Sequence, residues 1–311
     1  MKTDHTLFNH IIDDLDLKKY GSVYSGKVRD SITLKDKRIL IATDRLSAFD
    51  KILTTIPLKG AVLTALATFW LKETEHITKN HLIDVPHPNV SVCLDCSVIP
   101  VEVVVRGYLT GSAWRAYQGG ESVSGILFAP GMKEFQKLDK PILTPSTKAA
   151  IGNHDEPISE SEIISSGIVT EKIWSEVREK ALALFQFASE KVSERNLILV
   201  DTKFEFGIRN GEVILVDEIF TLDSSRFWIK GYRGDETPTM LDKEPIRQWL
   251  LSKGFNGEGE IPQISDEYRL SLTTHYIESL RKISGISLEK NSISSREEIY
   301  TVVEKITQQL K

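Results

Sequence analysis

The sequence predicts an α+β fold with two lobes, because strand-like segments dominate its first half and helical segments its second half. The chain has 311 residues, more than one typical domain, and 41% of them are hydrophobic, which is enough for a large core. We place the boundary in the Gly- and Pro-bearing stretch 119–145. Residues 1–120 would form a strand-rich lobe, and residues 121–311 an α+β lobe with a helical tail.

The elements of the first half are predicted from alternation and from turn residues. Residues 20–34 alternate and contain Gly21 and Gly26, which is typical of a twisted hairpin. Short apolar runs predict strands, and longer stretches of good helix formers predict helices. By these criteria we predict strands at residues 38–43 and 101–106 and helices at residues 59–70 and 112–118.

The second half contains the strongest predicted helix, residues 171–194, where apolar residues recur at helical spacing and the opposite face is polar. Two strands follow at residues 197–206 and 212–219, and Asn210-Gly211 between them is a hairpin-turn signal. Helices are also predicted in the tail, at residues 244–253, 265–284 and 295–310.

Charge and cysteine content narrow the class of protein. The net charge of -5 does not favour nucleic acid or anionic membranes, so a phosphate site would have to be a local basic pocket. No stretch reaches the ~20 apolar residues of a membrane span, and no signal-peptide core follows Met1. Cys93 and Cys96 lack the second pair that a structural zinc site needs, so we interpret them as reduced thiols. We therefore expect a cytoplasmic protein.

The first candidate for chemistry is the segment Gly26-Lys27-Val28-Arg29-Asp30 at a predicted strand bend. A glycine lets the backbone approach a phosphate closely, and Lys27 and Arg29, two residues apart, would share one face of a strand. Together they could hold a triphosphate. The segment is neither a Walker loop nor a Rossmann fingerprint, and a solvated basic hairpin is the alternative interpretation.

The second candidate lies on the predicted hairpin of the second half. Asp201, Lys203 and Glu205 share one strand face, and the next strand ends at Asp217. A two-residue turn would send Glu205 and Asp217 to opposite faces, whereas a three-residue turn would put both carboxylates on one face. We predict the three-residue turn. Two clustered carboxylates call for a cation and, beside a triphosphate, imply Mg²⁺; the alternative is an exposed, salt-bridged hairpin.

Four further segments combine hydroxyl groups with arginines or acids. Arginine forks and helix N-termini both suit phosphate or carboxylate groups, and loops after buried strands often carry function. Each segment alone could be surface decoration. Together with the first two candidates they predict one large site that binds several anions. The segments are residues 43–50, 106–112, 144–156 and 223–228.

These segments, in this order, closely resemble the SAICAR synthetase family in its single-function long form. The resemblance runs from Gly26 to Trp228. Two departures are Leu222, where the family usually has proline, and Pro157, where it more often has asparagine. Neither removes a charged group that the chemistry needs. The most specific stretches are residues 42–50, 106–114, 144–156, 201–207 and 217–228.

The resemblance implies a SAICAR synthase-like fold of two lobes, in which the ATP-binding lobe, residues 1–120, is similar to ATP-grasp enzymes and kinases. It implies an ATP-dependent ligase that joins L-aspartate to carboxyaminoimidazole ribonucleotide (CAIR), giving SAICAR, ADP and phosphate in de novo purine biosynthesis. ATP and Mg²⁺ are the implied cofactors. The implied partners are small-molecule substrates only, and similarity to the long form favours a monomer.

The resemblance also implies roles for individual residues. Which group takes the proton of the aspartate amine stays open between Asp44, Asp50 and the substrate itself. The implied catalytic residues are Lys203, Glu205, Asp217, Asp44 and Asp50, and the Mg²⁺ ligands are Asp201, Glu205 and Asp217. ATP would contact Gly26, Lys27, Val28, Arg29, Asp30, Ser31, Lys203, Glu205 and Asp217. The ribonucleotide and aspartate would contact Ser47, Arg106, Ser112, His154, Asp155, Asp223 and Arg226.

Two rival functions remain at this point. A kinase would use similar ATP machinery, although the sequence has no His-Arg-Asp catalytic loop and no Asp-Phe-Gly segment. A non-catalytic nucleotide-binding module would bind ATP without turnover. A stable phosphorylated product formed without aspartate would indicate the kinase, and ATP binding without turnover would indicate the module.

Overall fold

The structure is a computed structural model that describes residues 4–148, 155–232, 236–288 and 293–310. The chain forms two compact units, each built from separate stretches. Unit 1 comprises Met1–Leu71, His81–Asp95 and Leu241–Lys311, and unit 2 comprises Lys72–Asn80 and Cys96–Met240. The predicted division at residue 120 does not match these units, because the helical tail packs with the first sheet rather than with the second.

Unit 1 is built on a five-stranded antiparallel sheet in the order β1-β2-β3-β7-β6. Its core joins Ile32, Ile39 and Ile41 of the sheet to Ile299 and Val303 of the last helix. The burial of these apolar side chains holds the tail in this unit. The sheet strands are β1 (Ser22–Ser25), β2 (Arg29–Leu34), β3 (Lys37–Ala42), β6 (Leu82–His87) and β7 (Val90–Leu94).

In the described residues, the rest of unit 1 comprises a two-stranded ladder, four α-helices and two short 3-10 helices, His5–His10 and Lys18–Tyr20. The ladder pairs β4 with β5, and a register shift follows Leu46. The alternating predicted hairpin at residues 20–34 is confirmed as β1 and β2. The remaining elements are β4 (Arg45–Ala48), β5 (Lys51–Thr55), α1 (Lys59–Glu73), α5 (Glu244–Ser252), α6 (Asp266–Ser284) and α7 (Arg296–Leu310), with α1 running two residues into unit 2.

Unit 2 is built on an antiparallel sheet in the order β10-β8-β11-β12, in which β13 also pairs with β11 and β9 with β8. The central strand β11 (Leu197–Arg209) is long because apolar residues line one of its faces throughout. Helix α4 (Glu171–Ser193) contributes Trp174, Val177 and Leu184 to the core. The other elements are β8 (Ser97–Tyr108), α2 (Gly111–Gln118), β9 (Lys137–Leu143), β10 (Ser146–Thr147), α3 (Glu160–Ser165), β12 (Glu212–Val216) and β13 (Ser225–Ile229).

The predicted helices and most predicted strands are confirmed to within a few residues, and the α+β class is correct. Strands β4 to β7, β9, β10 and β13 and the short helix α3 were not predicted. Among the described residues, no helix combines the length and the apolar character that crossing a membrane would require.

Candidate functional site

One polar face of the unit 2 sheet carries four of the predicted site residues, Arg106, Asp201, Lys203 and Glu205. On β11, Asp201 and Glu205 are two positions on either side of Lys203, so all three side chains project to one face. The neighbouring strand β8 pairs Arg106 with Asp201 and Glu102 with Glu205. The predicted alternation therefore brings acids and bases from two strands together.

At one end of this face is the arginine cluster, formed by Arg106, Asp201, Arg226, Ser112 and Thr144. Arg106 donates from Nη1 to Asp201 Oδ2 at 3.2 Å and from Nη2 to Ser112 Oγ at 3.1 Å. Its Nε donates to Thr144 Oγ1 at 2.8 Å. Arg226 Nη1 also donates to Asp201 Oδ2, at 2.6 Å. One buried carboxylate thus orients two guanidinium groups, and the cluster keeps a net positive charge.

The arginine cluster lies at the N-terminus of α2. The N-cap residue Thr110 makes no side-chain capping hydrogen bond. The first backbone amides of a helix can donate hydrogen bonds to an anion, so this end of α2 suits a phosphate. Gly111 allows the close approach, because a Cβ at this position would lie 2.6 Å from Arg226 Nη2, and its φ is +61°. Burial lowers the pKa of Arg106 and Asp201 raises it in part, yet the guanidinium stays charged at neutral pH.

Further along the same face is the lysine–glutamate cluster, formed by Glu102, Lys203, Glu205 and Lys148. Lys203 Nζ donates to Glu102 Oε1 at 2.6 Å and to Glu205 Oε1 at 3.3 Å, and Lys148 ion-pairs with Glu205. Burial raises the pKa of Glu205, but Lys203 and Lys148 outweigh burial and lower it to about 2. Burial lowers the pKa of Lys203, but the charges of Glu205 and Glu102 raise it by more, so the net shift of this pKa is upward. Both groups are therefore ionised at neutral pH.

The predicted three-residue turn between β11 and β12 is wrong. Glu205 pairs with Val216 and Arg209 with Glu212, which leaves the two-residue turn Asn210-Gly211. Both turn residues have positive φ, 52° and 79°, as a type I′ turn requires. Asp217 follows the end of β12 and has a φ of 63°, so the alternation that would direct it to the opposite face from Glu205 ends one residue before it.

The three predicted Mg²⁺ ligands, Asp201, Glu205 and Asp217, do not form one cluster of three carboxylates in the part of the chain that the structure describes. Asp201 is held by two arginines. Within the described residues, no group of three or more histidine, cysteine or acidic side chains could hold a metal ion. A site of one or two carboxylates completed by substrate phosphates is what Mg²⁺ commonly uses, and Glu205, which is ionised, fits as one of them.

In unit 1, the predicted phosphate segment forms the turn between β1 and β2. Gly26 N donates to Arg29 O at 2.8 Å, and Lys27 lies on the surface in an ion pair with Asp50. Asp30 is only 2% exposed and pairs with Arg45 at 2.7 Å, and its contact with ATP stays a prediction. Ser31 is buried, and the carbonyl of Val28 accepts from Thr43.

Asp44, a predicted catalytic residue, is buried in a structural position. Its carboxylate accepts the backbone N–H groups of Ile12 and Gly60, each at 2.9 Å, and only 1% of the residue is exposed. Burial raises its pKa to about 7. These contacts tie the chain before β1 to α1, and the catalytic role of Asp44 stays a prediction. Ser47 is also buried, on β4.

Two further predicted residues, Asp155 and Asp223, lie outside the helices and strands. His154 lies outside the described residues. Asp155 is exposed. Asp223 is half-buried, and its backbone N–H donates to Thr221 Oγ1 at 3.3 Å in the turn that precedes β13. This turn places Arg226 on the strand next to Asp201.

Sequence reasoning missed several residues that hold the site together. Glu102 was detectable, because it is four positions before Arg106 on one strand and so shares its face. Lys148 was noted in a polar loop, but the residue it contacts was not foreseen. Arg45 belongs to the candidate segment 43–50, but its pairing with Asp30 was not foreseen, because Asp30 lies on another strand and the pairing depends on the fold.

Comparison with known proteins places this geometry in a family. The sequence model of SAICAR synthetase matches residues 22–264. The phosphoribosylaminoimidazole-succinocarboxamide synthase of Legionella pneumophila (strain Lens) is 43% identical over 285 residues, which cover 88% of this chain and 91% of that protein.

Solved structures agree with the sequence match. SAICAR synthase from Saccharomyces cerevisiae, complexed with SAICAR, aligns with a TM-score of 0.80 at 34% identity and covers 89% of this chain and 99% of that chain. A type-2 SAICAR synthetase in complex with ADP aligns with a TM-score of 0.68 at 26% identity and covers 86% and 100%. The family match spans both units, including the strands that carry the arginine cluster and the lysine–glutamate cluster. The chain therefore belongs to the SAICAR synthetase family, the ATP-dependent ligases of purine biosynthesis.

Proposed function

We propose that the arginine cluster binds the phosphate of CAIR during its ATP-dependent ligation to L-aspartate. The observation that carries this proposal is the convergence of Arg106, Arg226 and Ser112 at the N-terminus of α2. Two guanidinium groups, a hydroxyl and the first amides of the helix form a complementary surface for a phosphate ester. Asp201 keeps both arginines in place before the substrate arrives.

The turn of residues 26–29 would bind the phosphates of ATP. Lys27 supplies an exposed ammonium, and the structure shows no acceptor for the backbone N–H groups of Lys27 and Val28 within the part of the chain that it describes. Consecutive amides with no protein partner are suited to a phosphate oxygen. Asp50, which pairs with Lys27 here, would exchange that contact for solvent or substrate.

Lys203 and Glu205 would also contact the nucleotide. Glu205 and Asp217 would hold the Mg²⁺ ion, which, when bound, neutralises charge on the transferred phosphoryl group. Lys203 would stabilise the same developing charge, since its ammonium is fixed by Glu102 and Glu205. Asp201 is left out of this metal site because it holds both arginines of the arginine cluster. Glu205 is also paired, with Lys203 and Lys148, and would exchange one of these contacts for the metal.

The chemistry follows from the poor leaving ability of a carboxylate oxygen. Phosphoryl transfer from ATP to the CAIR carboxylate would form an acyl phosphate and release ADP. The neutral amine of aspartate would then attack the acyl carbon and expel inorganic phosphate, forming the amide. With Asp44 buried, Asp50 and the substrate remain as acceptors of the amine proton. We propose that the enzyme acts as a cytoplasmic monomer.

A coupled ADP-release assay with ATP, CAIR and aspartate tests this proposal. Arg226→Ala should raise KM for CAIR about 10- to 100-fold, the cost of one charge-assisted hydrogen bond, with little change in KM for ATP. Lys230→Ala, a change of the cation just after the same strand, is the matched control, because Lys230 contacts Ser193 instead. Equal effects of the two changes on CAIR would contradict the assignment.

The same assay separates the ligase from the rival functions. Omission of aspartate should leave no more than trace ADP release and no stable phosphorylated product. Asp217→Asn should abolish turnover if this carboxylate holds the metal. Full activity of that variant would remove Asp217 from the proposed Mg²⁺ site.

A further inference from the structure

Arg45 binds the backbone of the turn between β1 and β2. It begins β4, is 8% exposed, and reaches across to the turn with its guanidinium group. Its Nη2 donates to the carbonyl of Gly26 at 3.0 Å, and its Nε donates to the carbonyl of Lys27 at 3.3 Å. One buried side chain therefore fixes two consecutive peptide groups.

Thr43 fixes the third peptide group of the turn. Its backbone N–H and its hydroxyl both donate to the carbonyl of Val28, at 3.0 and 2.8 Å. Three successive carbonyls, those of Gly26, Lys27 and Val28, are thus held toward residues 43–45. In a trans peptide the N–H points away from the carbonyl, so the amides of Lys27 and Val28 are directed to the opposite side.

Asp30 orients Arg45. The guanidinium donates to Asp30 Oδ1 at 2.7 Å and to Asp30 Oδ2 at 3.3 Å, and Asp13 lies 3.6 Å away. A fork of two parallel N–H groups on one carboxylate fixes the plane of the guanidinium. Lysine lacks this planar fork and would not make the same set of contacts.

We propose that Arg45 and Asp30 are positioning residues for nucleotide binding, which hold the turn so that its outward amides and Lys27 meet the phosphates of ATP. The proposal rests on the proposed binding of ATP phosphates at this turn. Neither residue touches the nucleotide. Their contribution is preorganisation: a turn that is already ordered loses less conformational entropy when the phosphate binds.

The test measures KM for each substrate and the affinity for ADP by calorimetry, in Arg45→Gln, Arg45→Lys and Asp30→Asn. Each change should raise KM for ATP and weaken the binding of ADP, each by about tenfold. KM for CAIR and KM for aspartate should change less than twofold. Arg38→Gln is the matched control, because Arg38 makes a comparable pair with Asp95, at 2.8 and 3.1 Å, in the same unit. The control should leave all three KM values near those of the unmodified enzyme.

Lys27→Met separates this inference from the proposed function. If Lys27→Met leaves the affinity for ADP unchanged, the phosphate site itself is misplaced. If Lys27→Met weakens ADP and Arg45→Gln does not, the site stands and the positioning role of Arg45 is overturned. An equal rise of KM for ATP, CAIR and aspartate in Arg45→Gln would also overturn it, since a loss of folded enzyme is not selective.

Thr43→Val covers the case in which Arg45 variants do not fold. This change removes the hydroxyl that donates to Val28 and that accepts from the backbone N–H of Arg45 at 3.4 Å, while the backbone N–H of Thr43 still donates to Val28. It should weaken the binding of ADP about two- to fivefold, because one neutral hydrogen bond to the turn is lost. Unchanged ADP affinity in Thr43→Val would contradict the idea that the turn must be held in this conformation.

Discussion

The substitution Asp201→Asn tests whether one carboxylate holds the arginine cluster together. Asp201 is 4% exposed and accepts from Arg226 at 2.6 Å and from Arg106 at 3.2 Å. Removing one partner of a buried charge pair costs about 3–5 kcal/mol. Asparagine keeps one acceptor oxygen, and Arg226 can turn partly to solvent, so we expect a loss of about 2–4 kcal/mol in the free energy of unfolding.

Urea unfolding of the unmodified protein and of the Asp201→Asn variant measures this loss in the free energy of unfolding. Asp95→Asn provides the matched control, because Asp95 and its partner Arg38 are about one-third exposed, at 29% and 34% of their side chains. A pair of that exposure contributes less than about 1 kcal/mol. Equal destabilisation by both substitutions would refute the view that Asp201 is the buried counter-charge of two arginines. The same variant should raise KM for CAIR, because the arginines lose their orientation.

Three further predictions follow from local geometry and titration. Glu205 has a pKa of about 2 in the folded protein, below its ordinary 4.5. Its contribution to stability is therefore present above pH 4.5 and is lost as the pH falls toward 2. Glu205→Gln should remove this part of the decrease in the urea midpoint at acid pH. Asp44 has a pKa of about 7 in the folded protein, above its ordinary 3.8, so the free energy of unfolding falls as the pH rises between these values. Asp44→Asn should remove that fall. An unchanged dependence of stability on pH would contradict the view that Asp44 is buried. Gly111→Ala should raise KM for CAIR, because its Cβ would lie 2.6 Å from Arg226, whereas Gly120→Ala, also at positive φ but with open space, should cost only about 1 kcal/mol of stability.

Periodicity predicted the parts of the site that depend on one strand. Asp201, Lys203 and Glu205 share a face because side chains alternate, and this needs no knowledge of neighbouring strands. The helices were predicted for the same reason, since a helical face is a local property. The family resemblance then identified the chemistry, and the comparisons confirm the family.

Features that depend on pairing between distant segments were not predictable in this way. The predicted length of the hairpin turn was wrong because Asn210-Gly211 is compatible with turns of two or three residues, and strand pairing selects between them. The predicted boundary at residue 120 differs from the bounds of the two units because α7 contributes to the core of the first sheet, which chain order does not reveal. The burial of Asp44 was not predicted because a polar residue after a strand can bind either a substrate or a neighbouring backbone amide.

The ion pairs of the site are better explained by orientation than by stability. A buried pair commonly contributes no more than apolar side chains of the same volume would, because both charges lose their water. Asp201 nevertheless holds two arginines, and Glu102 holds Lys203 at 2.6 Å. A long basic side chain that is free in solution loses conformational entropy when it binds a phosphate, at a cost of about 0.5–1.5 kcal/mol for each chain. Carboxylates that fix these chains during folding move that cost away from substrate binding, so the site gains affinity for phosphate where the fold gains little stability.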